Sequence, residues 1–93
     1  MTSVEISIPE HVLYQRTGDA MVLLDSMNGQ YFELNETAAS AFEALLETQD
    51  PAAACVAVTK KFEVTQIQAR QDIEILMKKL AAAGLLQIAD CST

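Results

Sequence analysis

Apolar and polar residues near the start of the chain alternate with the period of two that is typical of β-strands. From Val4 to Ile8 this alternation predicts a half-buried strand, which Pro9 ends or marks as a sheet edge. A second short extended piece is predicted from His11 to Tyr14. After a turn at residues 17–19, the continuous apolar run from Ala20 to Asp25 predicts a buried strand.

A hairpin is predicted next. Asn-Gly between apolar runs is a strong hairpin signal, because both residues tolerate positive φ. The sequence therefore predicts a turn over residues 26–29 and a returning strand over residues 30–34. Phe32 and Leu34 share one face of that strand, and Tyr31 and Glu33 share the other. The short strand can leave a free edge, which can accept a peptide as an added strand.

Three amphipathic helices follow, because apolar residues then recur with helical spacing. The first is predicted over Glu36–Glu47, with Asn35 or Thr37 as its N-cap. The second starts after Asp50, the expected N-cap, and runs to about residue 62. The third starts near residue 65, and Gly84 ends it in the left-handed conformation. The expected inner stripes are Ala38, Ala41, Phe42, Leu45 and Leu46 on the first helix, and Ala69, Ile73, Leu76 and Leu80, with Met77 beside them, on the third.

These elements predict an α+β fold that is winged-helix-like, with a small antiparallel sheet of about three strands followed by three helices. Residues 85–89 extend as a short strand or pack as a tail. The 93 residues suit a single domain over 1–93, with its core over about residues 12–89. The chain holds no apolar run long enough for a membrane helix, and its first residues do not resemble a signal peptide. We therefore expect a cytoplasmic protein.

The charge of the chain and its few potentially reactive residues limit the classes of function that it can have. Residues 1–50 carry nine acids and one base, and residues 51–93 carry four acids and five bases, for a net charge of −7. So acidic a chain disfavours binding to nucleic acid or to an anionic membrane. Cys55 is expected to be a small buried residue, Cys91 an exposed thiol and His11 a surface residue. No catalytic, metal-binding or cofactor-binding motif is present, so we predict no enzyme, no metal and no cofactor.

Several segments in this order resemble the PQQ-synthesis protein D family over about residues 12–89. They are Val22-Leu23-Leu24-Asp25, Asn28-Gly29-Gln30-Tyr31-Phe32-Glu33-Leu34-Asn35, an Ala-rich helix, Asp72-Ile73 to Leu80, and Gly84-Leu85-Leu86. The chain lacks the Asp-Gly pair expected after the first helix of the PQQ chaperone, where Thr48-Gln49-Asp50-Pro51 stands instead. Its hairpin is more similar to the lasso-type and orphan stand-alone members.

The resemblance implies a peptide chaperone that binds the leader of a ribosomally made precursor as an extra strand, between the third strand and the third helix. It would present the precursor to a maturation enzyme such as a leader peptidase, a cyclase or a radical SAM enzyme. The expected peptide-binding residues are Gln30, Tyr31, Phe32, Glu33 and Leu34 on the strand, and Gln71, Asp72, Ile75, Lys78 and Lys79 on the third helix.

Alternatives stay open at this point. The strand over residues 30–34 can be an ordinary hairpin strand, and Ile75 can be a peripheral core residue. The chain can also be a winged-helix nucleic-acid binder, although Arg70, Lys78 and Lys79 are offset by Asp72 and Glu74 on the same helix. A third reading is a regulatory subunit that binds an enzyme and no peptide. A free strand edge can also pair with its twin in a homodimer.

Overall fold

Strands begin and end the part of the chain that the structure describes, and the helices lie between them. The structure is a computed structural model, which describes residues 4–90. In chain order the elements are β1 (Val4–Ser7), β2 (Val12–Thr17), β3 (Ala20–Asp25), β4 (Tyr31–Leu34), α1 (Glu36–Thr48), α2 (Pro51–Lys61), α3 (Gln66–Ala82) and β5 (Gln87–Asp90). The predicted α+β class and the three helices are confirmed, with boundaries shifted by one or two residues.

The main sheet has three antiparallel strands in the order β2-β3-β4. Gly18, with a φ of 65°, helps to close the short loop between β2 and β3. The β3–β4 hairpin is confirmed, but its loop is longer than an Asn-Gly pair would need, and only Gly29 has a positive φ, of 75°. Two bonds set this loop: the Asp25 N–H donates to the Gln30 carbonyl at 2.8 Å, and the Gly29 N–H donates to the Asp25 carbonyl at 2.8 Å. The Asp25 side chain adds to the turn by accepting from the Met27 N–H at 3.0 Å.

A second, two-stranded sheet pairs β1 with β5. The strand expected from Val4 is present, and residues 87–90 form a strand rather than a tail, but neither joins the three-stranded sheet. Gln49 fastens this small sheet to the end of α1. It accepts from the Ile6 N–H at 2.6 Å and donates to the Ile6 carbonyl at 2.8 Å. Gln49 itself has a φ of 58°, so a non-glycine residue holds the left-handed conformation at this helix end.

The helix ends follow the sequence signals. Asn35, Asp50 and Thr65 cap α1, α2 and α3, each accepting a bond from a first-turn N–H. At the end of α3, Gly84 has a φ of 76°. The Gly84 N–H donates to the Ala81 carbonyl at 3.1 Å, and the Leu85 N–H donates to the Leu80 carbonyl at 2.9 Å. This is the bond pattern of a Schellman motif, and it turns the chain from α3 toward β5.

The core lies between one face of the three-stranded sheet and the helices. The predicted α3 stripe of Ala69, Ile73, Leu76 and Leu80 is confirmed as buried. The predicted burial of β3 is confirmed for alternate residues only, since within this strand Met21, Leu23 and Asp25 are buried and Leu24 is exposed. On α1 the prediction missed Ala39, which is buried together with Ala41, Phe42 and Leu45, whereas Ala38 and Leu46 are only partly buried.

The reactive residues occupy ordinary structural positions. Cys55 is buried, as expected, and its thiol donates to the Gln66 carbonyl at 3.5 Å. His11 is half-buried, with its Nε2 3.8 Å from Asp25 Oδ2. The Arg16 guanidinium pairs with Glu43 of α1, which ties the β2–β3 hairpin to the first helix. Cys91 lies outside the described residues.

Candidate functional site

The β4 strand has one open edge. It is the last strand of its sheet, and within residues 4–90 it pairs only with β3. In an antiparallel ladder, hydrogen-bonded pairs alternate with non-bonded pairs. The bond from the Asp25 N–H to the Gln30 carbonyl makes these two residues a hydrogen-bonded pair. By alternation, the next residues of β4 that bond to β3 are Phe32 and Leu34. The N–H and C=O groups of Tyr31 and Glu33 therefore point to the open edge.

A groove of about 350 Å³ lies beside this edge. The end of β4 and the start of α1 form one wall, and α3 forms the other. Small side chains make room for it, because Ala38, Ala41 and Ala69 all contribute to its lining. Leu34, Val58, Ile73 and Leu76 supply further apolar surface, and Glu33, Asn35, Thr37, Asp72, Ile75 and Lys79 complete the lining. The groove is thus apolar at its base and charged at its rim.

One stripe of α3 forms the far rim. Asp72, Ile75 and Lys79 recur at the spacing that brings residues onto one side of a helix. Asp72 and Lys79 lie about 10 Å apart along the helix axis, which matches about three residues of an extended chain. Ile75 stands between them and is 61% exposed. An extended peptide in the groove would meet an apolar side chain flanked by opposite charges.

The charges at the rim are spread out rather than paired with one another. Asp72 Oδ1 accepts from the Gln68 amide at 2.9 Å. Within the described part of the chain, neither Glu33 nor Lys79 makes a side-chain hydrogen bond or an ion pair. These two side chains keep their charged groups available to a bound molecule.

The structure brings part of the predicted set together. Glu33, Leu34, Asp72, Ile75 and Lys79 line the groove. The lining does not include the other five predicted residues, which are Gln30, Tyr31, Phe32, Gln71 and Lys78. Phe32 packs against the core, while the Tyr31 side chain is exposed on the other side of the strand.

Sequence reasoning missed the small residues of the groove. Ala41 and Ala69 fall on the apolar stripes of their helices, so helical periodicity assigns them to the core. They are buried, and yet they also line the groove. Their size was the available signal, because an alanine where two helices meet a strand leaves space that leucine would fill.

The chain has a second groove, of about 440 Å³, between α2 and α3. Pro51, Val56, Ile67 and Arg70 are among its lining residues, and it borders no strand. Among the described residues, no group of three or more His, Cys, Asp or Glu side chains could hold a metal ion. In the same part of the chain, no helix has the length and apolar character needed to cross a membrane. The groove beside β4 is therefore the candidate site that combines a cavity with an open strand edge.

Comparison with known proteins agrees with this fold. The family model for coenzyme PQQ synthesis protein D (PqqD) matches residues 20–86, which hold the β3–β4 hairpin and all three helices. The chain belongs to the PqqD family. Among the curated proteins, none matches the sequence.

Two solved structures of similar fold also match the chain. One is described as lasso peptide synthetase B1 complexed with the leader peptide. It is 32% identical, with a TM-score of 0.81, and the match covers 89% of this chain and 98% of that one. The other is TbiB1 in complex with the TbiA(beta) leader peptide. It is 25% identical, with a TM-score of 0.77, and the match covers 86% of this chain and 93% of that one. The similarity to lasso-type proteins expected from the hairpin is thus confirmed.

Proposed function

We propose that this PqqD-family chain binds the leader segment of a ribosomally synthesised precursor peptide and presents the precursor to a modifying enzyme. The observation that carries the proposal is the open β4 edge beside an apolar groove. Two structures with the same fold are of proteins complexed with leader peptides. The role needs no catalytic group, and we propose that the chain is a non-catalytic adaptor.

The leader binds by strand addition. Tyr31 and Glu33 each offer one N–H and one C=O to a peptide laid along the edge. Each bond contributes about 0.5–1.5 kcal/mol net, because it replaces a bond to water. Such bonds set the register of the peptide but hardly depend on its sequence.

The groove adds the sequence-dependent part of the binding energy. Side chains alternate along the added strand, so every second one faces the groove between β4 and α3. A leucine- or phenylalanine-sized side chain that becomes fully buried there contributes about 1.5–3 kcal/mol. On the protein side, Ile75 becomes buried to the greatest extent when the leader binds, because its side chain is exposed in the free chain and lies at the rim of the groove. We therefore propose a leader with apolar residues at alternate positions.

Holding the leader raises the effective concentration of the rest of the precursor near the enzyme that modifies it. The enzyme would be a leader peptidase, a cyclase or a radical SAM enzyme. The chemistry would take place on the enzyme, and the adaptor would only position the precursor.

A titration tests the proposal. A fluorescently labelled synthetic peptide, with the sequence of the leader from the precursor encoded beside this chain, is added to the purified protein. We expect saturable binding, and amide NMR shifts or slowed hydrogen exchange at Tyr31 and Glu33. A scrambled peptide of the same composition is the control. Absence of saturable binding, or shifts confined to the groove between α2 and α3, would refute the proposal.

A further inference from the structure

Asp25, the last residue of β3, is a charged residue in a buried position. It is only 5% exposed. Burying a carboxylate is unfavourable unless hydrogen bonds or an opposite charge compensate for it. The Asp25 side chain does not line the groove beside β4, so a direct contact with the leader does not explain it. Its bonding partners show which part of the chain it holds in place.

The β3–β4 loop is built around the Asp25 carboxylate. Its Oδ1 accepts from the Met27 N–H at 3.0 Å and from the Asn28 N–H at 3.4 Å. The Asn28 side chain extends this set of bonds, because its own Oδ1 accepts from the Gln30 N–H at 3.0 Å. Together with the backbone bonds of the loop, every N–H group of residues 25–30 has an acceptor within the chain. The loop is therefore fully bonded, and the carboxylate is one of its central acceptors.

His11 connects the same loop to the start of β2. The His11 carbonyl accepts from the Ser26 N–H at 2.8 Å and from the Ser26 hydroxyl at 2.7 Å. The ring of the same residue places its Nε2 3.8 Å from Asp25 Oδ2. Asp25 thus lies where the β3–β4 loop meets the segment that leads into β2.

The short β4 strand depends on what holds its two ends. It has four residues, of which Phe32 and Leu34 bond to β3. At its far end, Asn35 fixes the chain by capping α1. At its near end, Tyr31 directly follows the loop that Asp25 holds. A strand edge that is fixed before the leader arrives does not have to be ordered on binding, which favours affinity.

We infer that Asp25 is a positioning residue for leader binding, because its carboxylate holds the β3–β4 loop and thereby keeps the β4 edge in the conformation that accepts an added strand. The inference rests on the proposed function in one respect, since it concerns the leader site. Without the carboxylate, the loop would adopt several conformations, and the edge would be ready for the leader only part of the time. The apparent Kd rises by the inverse of that fraction, so an edge that is ready about one-tenth of the time binds the leader about tenfold more weakly.

The test compares Asp25→Ala with Asp25→Asn. Alanine removes the acceptor of the loop N–H groups, whereas asparagine keeps a side-chain oxygen that can accept them. Gln49→Ala is the matched control, since it removes two hydrogen bonds to Ile6 and does not line the groove beside β4. Circular dichroism with a thermal melt confirms that each variant is folded. If Asp25→Ala does not fold, Asn28→Ala takes its place, because it removes the acceptor of the Gln30 N–H from the same loop.

Stopped-flow fluorescence with the labelled leader peptide gives the association and dissociation rate constants of each variant. We expect Asp25→Ala to lower the association rate constant about tenfold and to leave the dissociation rate constant within about twofold of wild type, because Asp25 acts before the leader binds and does not touch it. In the free protein, amide hydrogen exchange should become faster at Phe32 in this variant and stay unchanged in α3. Asp25→Asn and Gln49→Ala should bind the leader with wild-type rate constants.

A folded Asp25→Ala protein with the wild-type association rate constant would overturn the inference. So would a loss that Asp25→Asn or Gln49→Ala shares, or one that lies in the dissociation rate constant alone. Failure of the wild-type protein to bind the leader would refute the proposed function and this inference with it. Wild-type binding that is insensitive to Asp25→Ala would overturn this inference alone, so the two failures can be told apart.

Discussion

Proline at position 33 is the sharpest test of strand addition. Glu33 lies on β4, and its N–H points away from β3 to the open edge. Proline removes that donor and places its ring where an added strand would lie. The ladder to β3 should survive, because its bonds belong to the neighbouring residues of β4, and proline is tolerated on edge strands.

The expected loss can be worked from these groups. One backbone bond to the leader disappears, which costs about 0.5–1.5 kcal/mol. The leader carbonyl that accepted it is left without a partner beside the groove, which raises the total to about 1–3 kcal/mol. Because about 1.4 kcal/mol corresponds to a factor of ten, the Kd for the leader should rise about 5- to 150-fold.

The matched control is Glu33→Ala, which removes the carboxylate but keeps the N–H. Fluorescence anisotropy with a labelled leader peptide gives both Kd values, and circular dichroism with a thermal melt confirms that each variant is folded. We expect the alanine variant to bind within about threefold of wild type, since one exposed charge contributes little. If folded Glu33→Pro binds as tightly as wild type, the leader does not use this edge.

Three further predictions concern α3. Ile75→Glu should weaken leader binding about tenfold, measured by anisotropy, because it places a charge against apolar leader side chains. The control Ile67→Glu, on the same helix, should have no effect. Equal effects of the two changes would mean that Ile75 is not at the site. Lys79→Glu should change the affinity for the leader at about 50 mM salt and much less at about 500 mM. The same change at the neighbouring Lys78, which lies outside the groove, should be tolerated. A loss of affinity that does not depend on salt would contradict an electrostatic role for Lys79. Leu80→Ala should lower the free energy of unfolding by about 2–5 kcal/mol in urea denaturation, because this side chain is buried, and an unchanged midpoint would contradict its place in the core.

Local signals predicted the elements that flank the groove. The strand period placed Phe32 and Leu34 toward the core and Tyr31 and Glu33 outside it, and the structure confirms this. Helix caps and helical periodicity are also local, which explains why α3 and its buried stripe were predicted closely. The sequence left Ile75 open between a peripheral core residue and a residue of the peptide groove, and in the structure its side chain is 61% exposed.

Local sequence signals could not predict the pairing of strands that lie far apart along the chain. The register joins Val4 to Asp90, almost the full length of the chain apart, and no local pattern specifies it. Gln49 shows the same difficulty, since its bonds to Ile6 connect two segments that neither turn chemistry nor periodicity relates. The error at β3 has another cause. Leu24 faces outward on a sheet face with no covering layer, so its apolar character predicted burial that the described chain does not provide.

Because β4 is short, its edge can supply only part of leader recognition, and the groove must supply the rest. The strand ends at Leu34, and Asn35 caps α1 immediately afterwards, so the residues that offer edge groups are only Tyr31 and Glu33. Backbone bonds of this kind are available to any extended peptide. Selection among leaders must then come from the groove, through Ile75 and the opposite charges of Asp72 and Lys79. Across a panel of leader peptides, Glu33→Pro should lower all affinities by a similar factor, whereas Ile75→Glu and Lys79→Glu should change their order. A panel in which Glu33→Pro reorders the peptides would contradict this division, because a missing backbone donor cannot distinguish one side chain from another.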